Sequence, residues 1–362
     1  CHPQRGSMTL RVGLIGAGGV GRKRAAAVRE DPRTDLQVVC DRVEARAREV
    51  AAASSFAAAG KIAAAEPRIL AAWEEVVAST DVDLIIVSTT HDMLATISTA
   101  ALQAGKHVLC EKPLGRTVEE AQRATGAAAE SGCVLHAGYN HRFHPAMQAL
   151  HQIVGSGQLG DLLNLRGRYG HGGRPGYERE WRADASISGG GELLDQGAHL
   201  IDLSLWLLGA VEEVNGRVQT AFWDIAPVED NAFALLTMTG GQTASLHVSW
   251  TQWRNLFSLE LFGRDGYAQV EGLGGSYGEQ RLTLGHRRAA GGAPEESSQV
   301  FAGVDRSWNA EWDAFVRAID GESTLAAKGI SAVETLDCIG AIYRSAATAG
   351  SPVSILTTGE SA

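Results

Sequence analysis

Three groups of residues in this chain have types and spacings that could do chemistry. Lys112, inside Glu111-Lys112-Pro113, offers an ammonium group. Asp195 and His199, four positions apart, offer a carboxylate beside an imidazole, and Gly16-Ala17-Gly18-Gly19-Val20-Gly21 offers bare backbone that could receive phosphates. An imidazole with an unperturbed pKa near ~6.5 can take a hydroxyl proton at neutral pH, and a carboxylate can orient the ring or bind the substrate. An ammonium group can stabilise the developing alkoxide and relay a proton. Together these are what reversible alcohol oxidation asks of a protein when a cofactor accepts the hydride. Taken singly, Lys112 reads equally well as a surface lysine, and Asp195 and His199 as a helix cap and a buried structural histidine. Their joint occurrence with a glycine fingerprint favours the chemical reading.

The fingerprint has the setting it needs. Leu10–Ile15 reads as a buried strand, the glycines follow at once, and helix formers begin near Arg22. Gly16 would make the tight turn, Gly18 would let the backbone approach a pyrophosphate, Gly21 would let the helix pack closely on the strand, and Gly19 and Val20 between them are expected at the cofactor. The helix amino terminus adds unpaired N–H groups and partial positive charge. A second apolar strand, residues 36–39, leads to Asp41, about twenty residues past the last glycine, where a dinucleotide fold places the carboxylate for the adenosine ribose. That carboxylate would repel a 2′-phosphate, so NAD is expected over NADP. Arg42 beside it leaves NADP open, because a guanidinium can pair with a phosphate or stack on adenine.

From Met8 to about residue 137 strands and helices alternate. A strand is expected over 82–88, a helix over 95–104, and further strands over 106–110 and 134–137, which makes a doubly wound parallel sheet. Thr89, Thr90 and His91 follow one of these strands, and Glu111 and Lys112 end another, at the carboxyl edge where such sheets bind ligands. The alanine-rich stretch 45–65 reads as a surface helix with a variable connection. From 138 onward the pattern changes to strands over 162–169, 211–222, 232–239, 243–251, 257–262 and 267–271, separated by turns, which suggests a largely antiparallel open sheet. A glycine-rich stretch, 171–191, precedes an amphipathic helix over 192–208 that would carry Asp195 and His199 on one face. Helices over 311–319 and 333–347 close the chain. The expected division is therefore 8–137 for dinucleotide binding and 138–362 for substrate binding and oligomerisation, with residues 1–7 read as an expression remnant.

Composition narrows the function class. At 362 residues the chain suits two domains. It has no apolar run long enough to span a membrane and nothing like a secretory signal, so a cytoplasmic location is expected. Five scattered cysteines without a C-x-x-C pair suggest reduced thiols and no metal site, and a net charge of -10 argues against nucleic acid.

Gly16-x-Gly18-x-x-Gly21, the segment from Ala104 to Pro113, and Gly189-Gly190-Gly191-x-x-x-Asp195-x-Gly197-x-His199-x-x-Asp202 together resemble the glucose–fructose oxidoreductase, inositol dehydrogenase and rhizopine-catabolism (Gfo/Idh/MocA) family. The resemblance spans essentially the whole chain after residue 7. It implies an α/β fold with an amino-terminal Rossmann domain, a carboxyl-terminal open sheet and a homo-oligomer, a dimer or tetramer, formed through that sheet. It also implies catalytic roles for Lys112, Asp195 and His199, a cis bond before Pro113, and closure of Tyr139-Asn140-His141-Arg142-Phe143 over the nicotinamide, with Asn140 at the cofactor. Asp92-Met93-Leu94 departs from the family pattern after His91, so only a cofactor-edge role is carried over for Thr89, Thr90 and His91.

The family's substrates imply a sugar, sugar nucleotide, amino sugar or glycoside, or a cyclitol. Tyr169, His171, Trp181 and Arg182, in or beside the glycine-rich stretch, are expected to meet it: aromatic rings suit sugar C–H faces and guanidiniums suit phosphate or carboxylate. Two other readings stand beside this one: a dinucleotide-binding sensor or scaffold without turnover, and a reductase of C=C or C=N bonds on the same fold.

Overall fold

The computed structural model describes residues 9–54, 66–324 and 328–355. The expected remnant 1–7 and the end of the alanine-rich stretch lie outside these. The described residues fall into two compact units. One draws on residues 9–54, 66–115, 119–138, 308–324 and 328–332, the other on 116–118, 139–307 and 333–355.

The first unit opens with β1 (Leu10–Ile15), α1 (Gly19–Glu30), β2 (Thr34–Cys40), α2 (Glu44–Ser54), β3 (Arg68–Leu70) and α3 (Trp73–Ala78). It continues through β4 (Leu84–Val87), α4 (His91–Gln103), β5 (His107–Glu111), α5 (Val118–Ser131) and β6 (Leu135–Gly138). All six strands run parallel in the order β3-β2-β1-β4-β5-β6. The central strands carry unbroken apolar runs because helices cover both faces: all four residues of β4 are buried. The order reverses between β1 and β4, which puts the ligand-binding crevice of such a sheet at their carboxyl ends.

In the second unit α6 (Pro145–Gly155), β7 (Leu162–Gly170), α7 (Ala185–Ser188) and α8 (Ala198–Leu208) precede a run of strands. These are β8 (Val211–Gln219), β9 (Asn231–Met238), β10 (Thr243–Ser249), β11 (Leu256–Gly263), β12 (Gly266–Glu271), β13 (Gln280–His286) and β14 (Glu295–Phe301). Helices α9 (Ser307–Ile319) and α10 (Gly329–Ala347) and the short β15 (Val353–Ser354) end the described chain. The sheet has nine strands, β14-β13-β12-β11-β7-β10-β9-β8-β15, antiparallel except where β7 lies parallel to β10. Along β7, Leu165, Gly167 and Tyr169 are buried while Arg166 and Arg168 are exposed, so alternation sets one covered and one open face. Helix α8 lies on the covered face, and a methyl group at Gly167 would press on the Leu200 side chain at 3.2 Å.

Chain order alone would leave α9 with the second sheet. Its apolar face instead enters the first core, where Trp312, Phe315 and Val316 pack with Val12, Leu14, Leu36, Val39, Leu84 and Ile86. Among the described residues no helix is long and apolar enough to cross a membrane, and no cluster of His, Cys, Asp and Glu could hold a metal.

Candidate active site

Each unit gathers its own candidate residues. In the first, Gly16 follows β1, Ser88 to Thr90 follow β4, and Glu111 ends β5 with Lys112 next, three adjacent strands with Ile15 level with Val87 and Val87 with Cys110. The glycine loop is fixed by sterics: Gly16 has φ +97, and a methyl group there would sit 2.3 Å from the Ser88 carbonyl oxygen. One at Gly21 would sit 2.0 Å from the Gly16 carbonyl. Gly18 and Gly19 by contrast have nothing within 4 Å of that position, so their outer side is open to a ligand. Helix α1 begins at Gly19 with Gly18 as its cap and no side-chain cap, so the N–H groups near Gly19 and Val20 are left to face an anion. Asp41 follows β2; its carboxylate accepts from the Ala17 N–H at 2.7 Å and the Val43 N–H at 2.8 Å. A carboxylate has about four acceptor sites, so two remain for ribose hydroxyls. Arg42 next to it is exposed. These residues fit the dinucleotide that the fold implies.

Thr90 caps α4, its hydroxyl donating to Asp92 at 2.6 Å, and His91 is buried at the first helical position. Lys112 stands half-buried just past β5 and the Lys112–Pro113 bond is cis. Glu111 before it turns inward: its carboxylate accepts from the Arg24 guanidinium at 2.7 Å, and Arg24 also donates to Glu311 at 2.5 Å. His136 completes the buried set with its Nε2 3.0 Å from Glu311. Burial pushes the Glu111 carboxyl up. Burial acts the same way on Glu311, but Arg24 and then His136 outweigh it and hold that carboxyl below its ordinary value.

The second unit holds the remaining candidates. Asp195 does not lie on an ordinary α-helix: Leu193–Gly197 forms a π-helical turn, and α8 with His199 follows without a break. Wide π turns are rare and concentrate at functional positions. Crowding just before the turn requires glycine, since side chains at Gly190 and Gly191 would strike the Tyr343 hydroxyl at 2.2 Å and the Glu229 carbonyl oxygen at 1.9 Å. The Glu229 carboxylate accepts from the N–H groups of Gly191 and Leu193 and from the Tyr343 hydroxyl, which anchors the start of the turn.

His199 is buried and stacks on His141, ring centroids 3.7 Å apart and planes 21° from parallel. Tyr139 and Tyr169 meet it edge-on at 5.9 and 6.2 Å. His141 is held by a short 3-10 turn, Asn140–Phe143, whose Arg142 donates twice to Asp202 of α8, at 2.8 and 2.6 Å. Asn140 donates to the Ser307 hydroxyl at 3.0 Å. Asp195 accepts from Arg182 Nε at 2.8 Å, and the guanidinium lies 4.5 Å over the Trp181 ring. His171 Nδ1 accepts from the Gly173 N–H at 2.9 Å, leaving Nε2 to carry the ring proton, and burial lowers the imidazole pKa so that the ring is neutral at pH 7. Tyr277 joins the group, 5.4 Å from Tyr169 and within 3.2 Å of the Gln196 amide.

The structure thus gathers Gly16, Gly18, Gly19, Val20, Gly21, Asp41, Arg42, Thr89, Thr90, His91, Glu111 and Lys112 in one unit. It gathers Asn140, Tyr169, His171, Trp181, Arg182, Asp195 and His199 in the other. Tyr277 and the stacked face of His141 were not singled out from sequence. Tyr277 lies in a lone glycine-bounded turn and carries no spacing signal, whereas His141 sits in a segment whose expected part was cofactor closure alone.

A sequence family described as an oxidoreductase family with an NAD-binding Rossmann fold matches residues 10–139, and the GFO/IDH/MocA C-terminal domain matches residues 147–269. The chain belongs to the Gfo/Idh/MocA family. Levoglucosan dehydrogenase of Pseudarthrobacter phenanthrenivorans is 32% identical over 172 residues, 47% of this chain and 44% of that protein. The chain therefore matches under half the length of that relative. The 1,5-anhydro-D-fructose reductase of Ensifer adhaerens is 29% identical over 276 residues, 76% of this chain and 80% of that one. Among solved structures, levoglucosan dehydrogenase in complex with NADH shares the fold with a TM-score of 0.83 at 23% identity, covering 96% of this chain and 100% of that one.

Proposed function

We propose that this family member is an NAD-dependent dehydrogenase that exchanges a hydride with a secondary hydroxyl or keto group of a sugar, a sugar derivative or a cyclitol. The observation that carries it is the glycine loop with its two open glycines beside Asp41, in a chain that also keeps Lys112, Asp195 and His199. A bound nicotinamide supplies the hydride chemistry. The chain's own groups do the rest: His199 takes the hydroxyl proton, Asp195 orients the substrate or the ring, and Lys112 stabilises the alkoxide with its ammonium. Retention of all three favours turnover over a scaffold role, and an acid–base pair with a lysine suits C–O chemistry better than C=C or C=N reduction. The relatives are named as a sugar dehydrogenase and a sugar-derived ketone reductase, which supports the same substrate class.

To the same reading belong dinucleotide binding by the first unit and substrate binding by the second, a cytoplasmic setting for the reduced cysteines, and a homo-oligomer without nucleic acid as partner. Its test is to mix the purified protein with NAD and a panel of sugars, cyclitols and amino glycosides and follow NADH absorbance. NADH should accumulate with at least one of them, and a protein that binds no dinucleotide would end the proposal.

A further inference from the structure

We infer that the substrate carries no phosphate or nucleotide: the guanidiniums of the glycine-rich segment hold Asp195 in place instead of receiving an anion. This rests on the reading of Asp195 and His199 as groups that meet the substrate. Arg174 pairs side by side with Glu180 at 2.6 and 2.8 Å. Glu180 in turn lies 3.8 Å from Arg182, which bonds Asp195 at 2.8 Å. The four side chains form one ion-pair chain that ties the segment to the π-helical turn, and Trp181 covers a face of the last guanidinium. Arg179 has Glu178 at 3.4 Å. Each of the segment's three guanidiniums named here therefore faces a carboxylate, and a bidentate fork filled by Glu180 has no fork to offer a phosphate.

Arg142 and the arginines of β7 are likewise engaged or turned away. Arg142 is held by both oxygens of Asp202. Arg166 and Arg168 lie on the face of β7 opposite Tyr169, and Arg166 pairs with Glu260 at 3.0 Å. What the site presents instead is neutral. Burial first, with help from Glu192 and Asp195, raises the phenols of Tyr169 and Tyr277, the latter up to about 12, so both enter as hydroxyls. With neutral His171 and the Trp181 ring, these suit sugar hydroxyls and C–H faces.

The test uses the whole protein saturated with NADH, so that the dinucleotide site is filled, titrated with dTDP and with inorganic phosphate by calorimetry. The wild type should bind neither saturably. Glu180→Gln, which releases Arg174 and Arg182 from their shared carboxylate, should gain binding of at least one, tightened at least tenfold over the wild type. In the kinetic arm, kcat/KM for glucose should exceed that for glucose 1-phosphate and dTDP-glucose at least a hundredfold wherever any of the three is oxidised. Saturable dTDP binding to the NADH-loaded wild type, or a higher kcat/KM for a phosphorylated member, would overturn the inference. So would a folded Glu180→Gln protein that gains no anion binding. Failure to bind NADH at all would instead strike the proposed function itself.

Discussion

At the scale of single residues, Asp41 and His199 make separable statements. Asp41 already spends two acceptor positions on the Ala17 and Val43 N–H groups, so its carboxylate is fixed beside the glycine loop and would repel a 2′-phosphate there. NAD should therefore bind at least tenfold more tightly than NADP, about 1.4 kcal/mol. Fluorescence titration of both reduced cofactors checks it, and equal or tighter NADPH binding would hand the ribose end to Arg42. For His199, only the neutral imidazole can take a proton, so oxidation should rise with pH and then level off. His199→Asn should lose most of the turnover, remove this limb from the pH–rate profile and leave NADH binding nearly unchanged. An unaltered profile with near-normal turnover would assign the proton to another group.

At the scale of elements, the end of β5 is held from behind. Arg24 between Glu111 and Glu311 fixes the strand end that carries Lys112, and α9 supplies Glu311 while burying Trp312 and Phe315 in the same core. Glu311→Gln should cost roughly 3 kcal/mol at neutral pH, the scale of breaking a buried ion pair. The sign of its pH dependence follows from the depressed folded pKa. The ionised carboxylate contributes in full above the ordinary unfolded value near ~4.3, and that contribution is lost as pH falls through the folded value. The gap between wild type and variant in urea midpoint should therefore narrow in acid; a constant gap would make the loss one of packing alone.

Much of this was legible beforehand, and the exceptions have physical causes. The strand–glycine–helix unit is set by local sequence, so β1, α1, β2 and Asp41 appear where the apolar runs and glycines put them. Helix α4 starts four residues before the expected 95, at His91, with Thr90 in an extended conformation at its N-cap position. The expected α-helix through Asp195 is instead a π turn, and the groups that anchor its start, Glu229 and Tyr343, are distant in sequence. Strands β13 and β14 went unread: β14 is exposed at six of its seven positions, so it lacks apolar alternation and is held by its ladder with β13. The Arg174–Glu180–Arg182–Asp195 chain was likewise invisible, since a sequence shows guanidiniums without showing which carboxylates they meet.

At the scale of the whole molecule, the open face of the nine-stranded sheet displays Phe233 and Leu235 at 43% and 49% exposure, with His247 stacked on Phe233 at 4.1 Å. Apolar side chains at this exposure on a sheet face suit a subunit contact. Phe233→Asp with Leu235→Asp should shift the protein toward monomer in sedimentation, and a wild type already monomeric at micromolar concentration would remove the oligomer from the account.

The most direct measurement of the central claim compares wild type and Lys112→Ala, each shown to be folded and to bind NADH, for the rate at which NAD is reduced by the best substrate of the polyol panel. Loss of a positioned electrostatic group predicts a fall of about a hundredfold or more in turnover with little change in NADH affinity. A folded Lys112→Ala protein that binds NADH and turns over at the wild-type rate would contradict it.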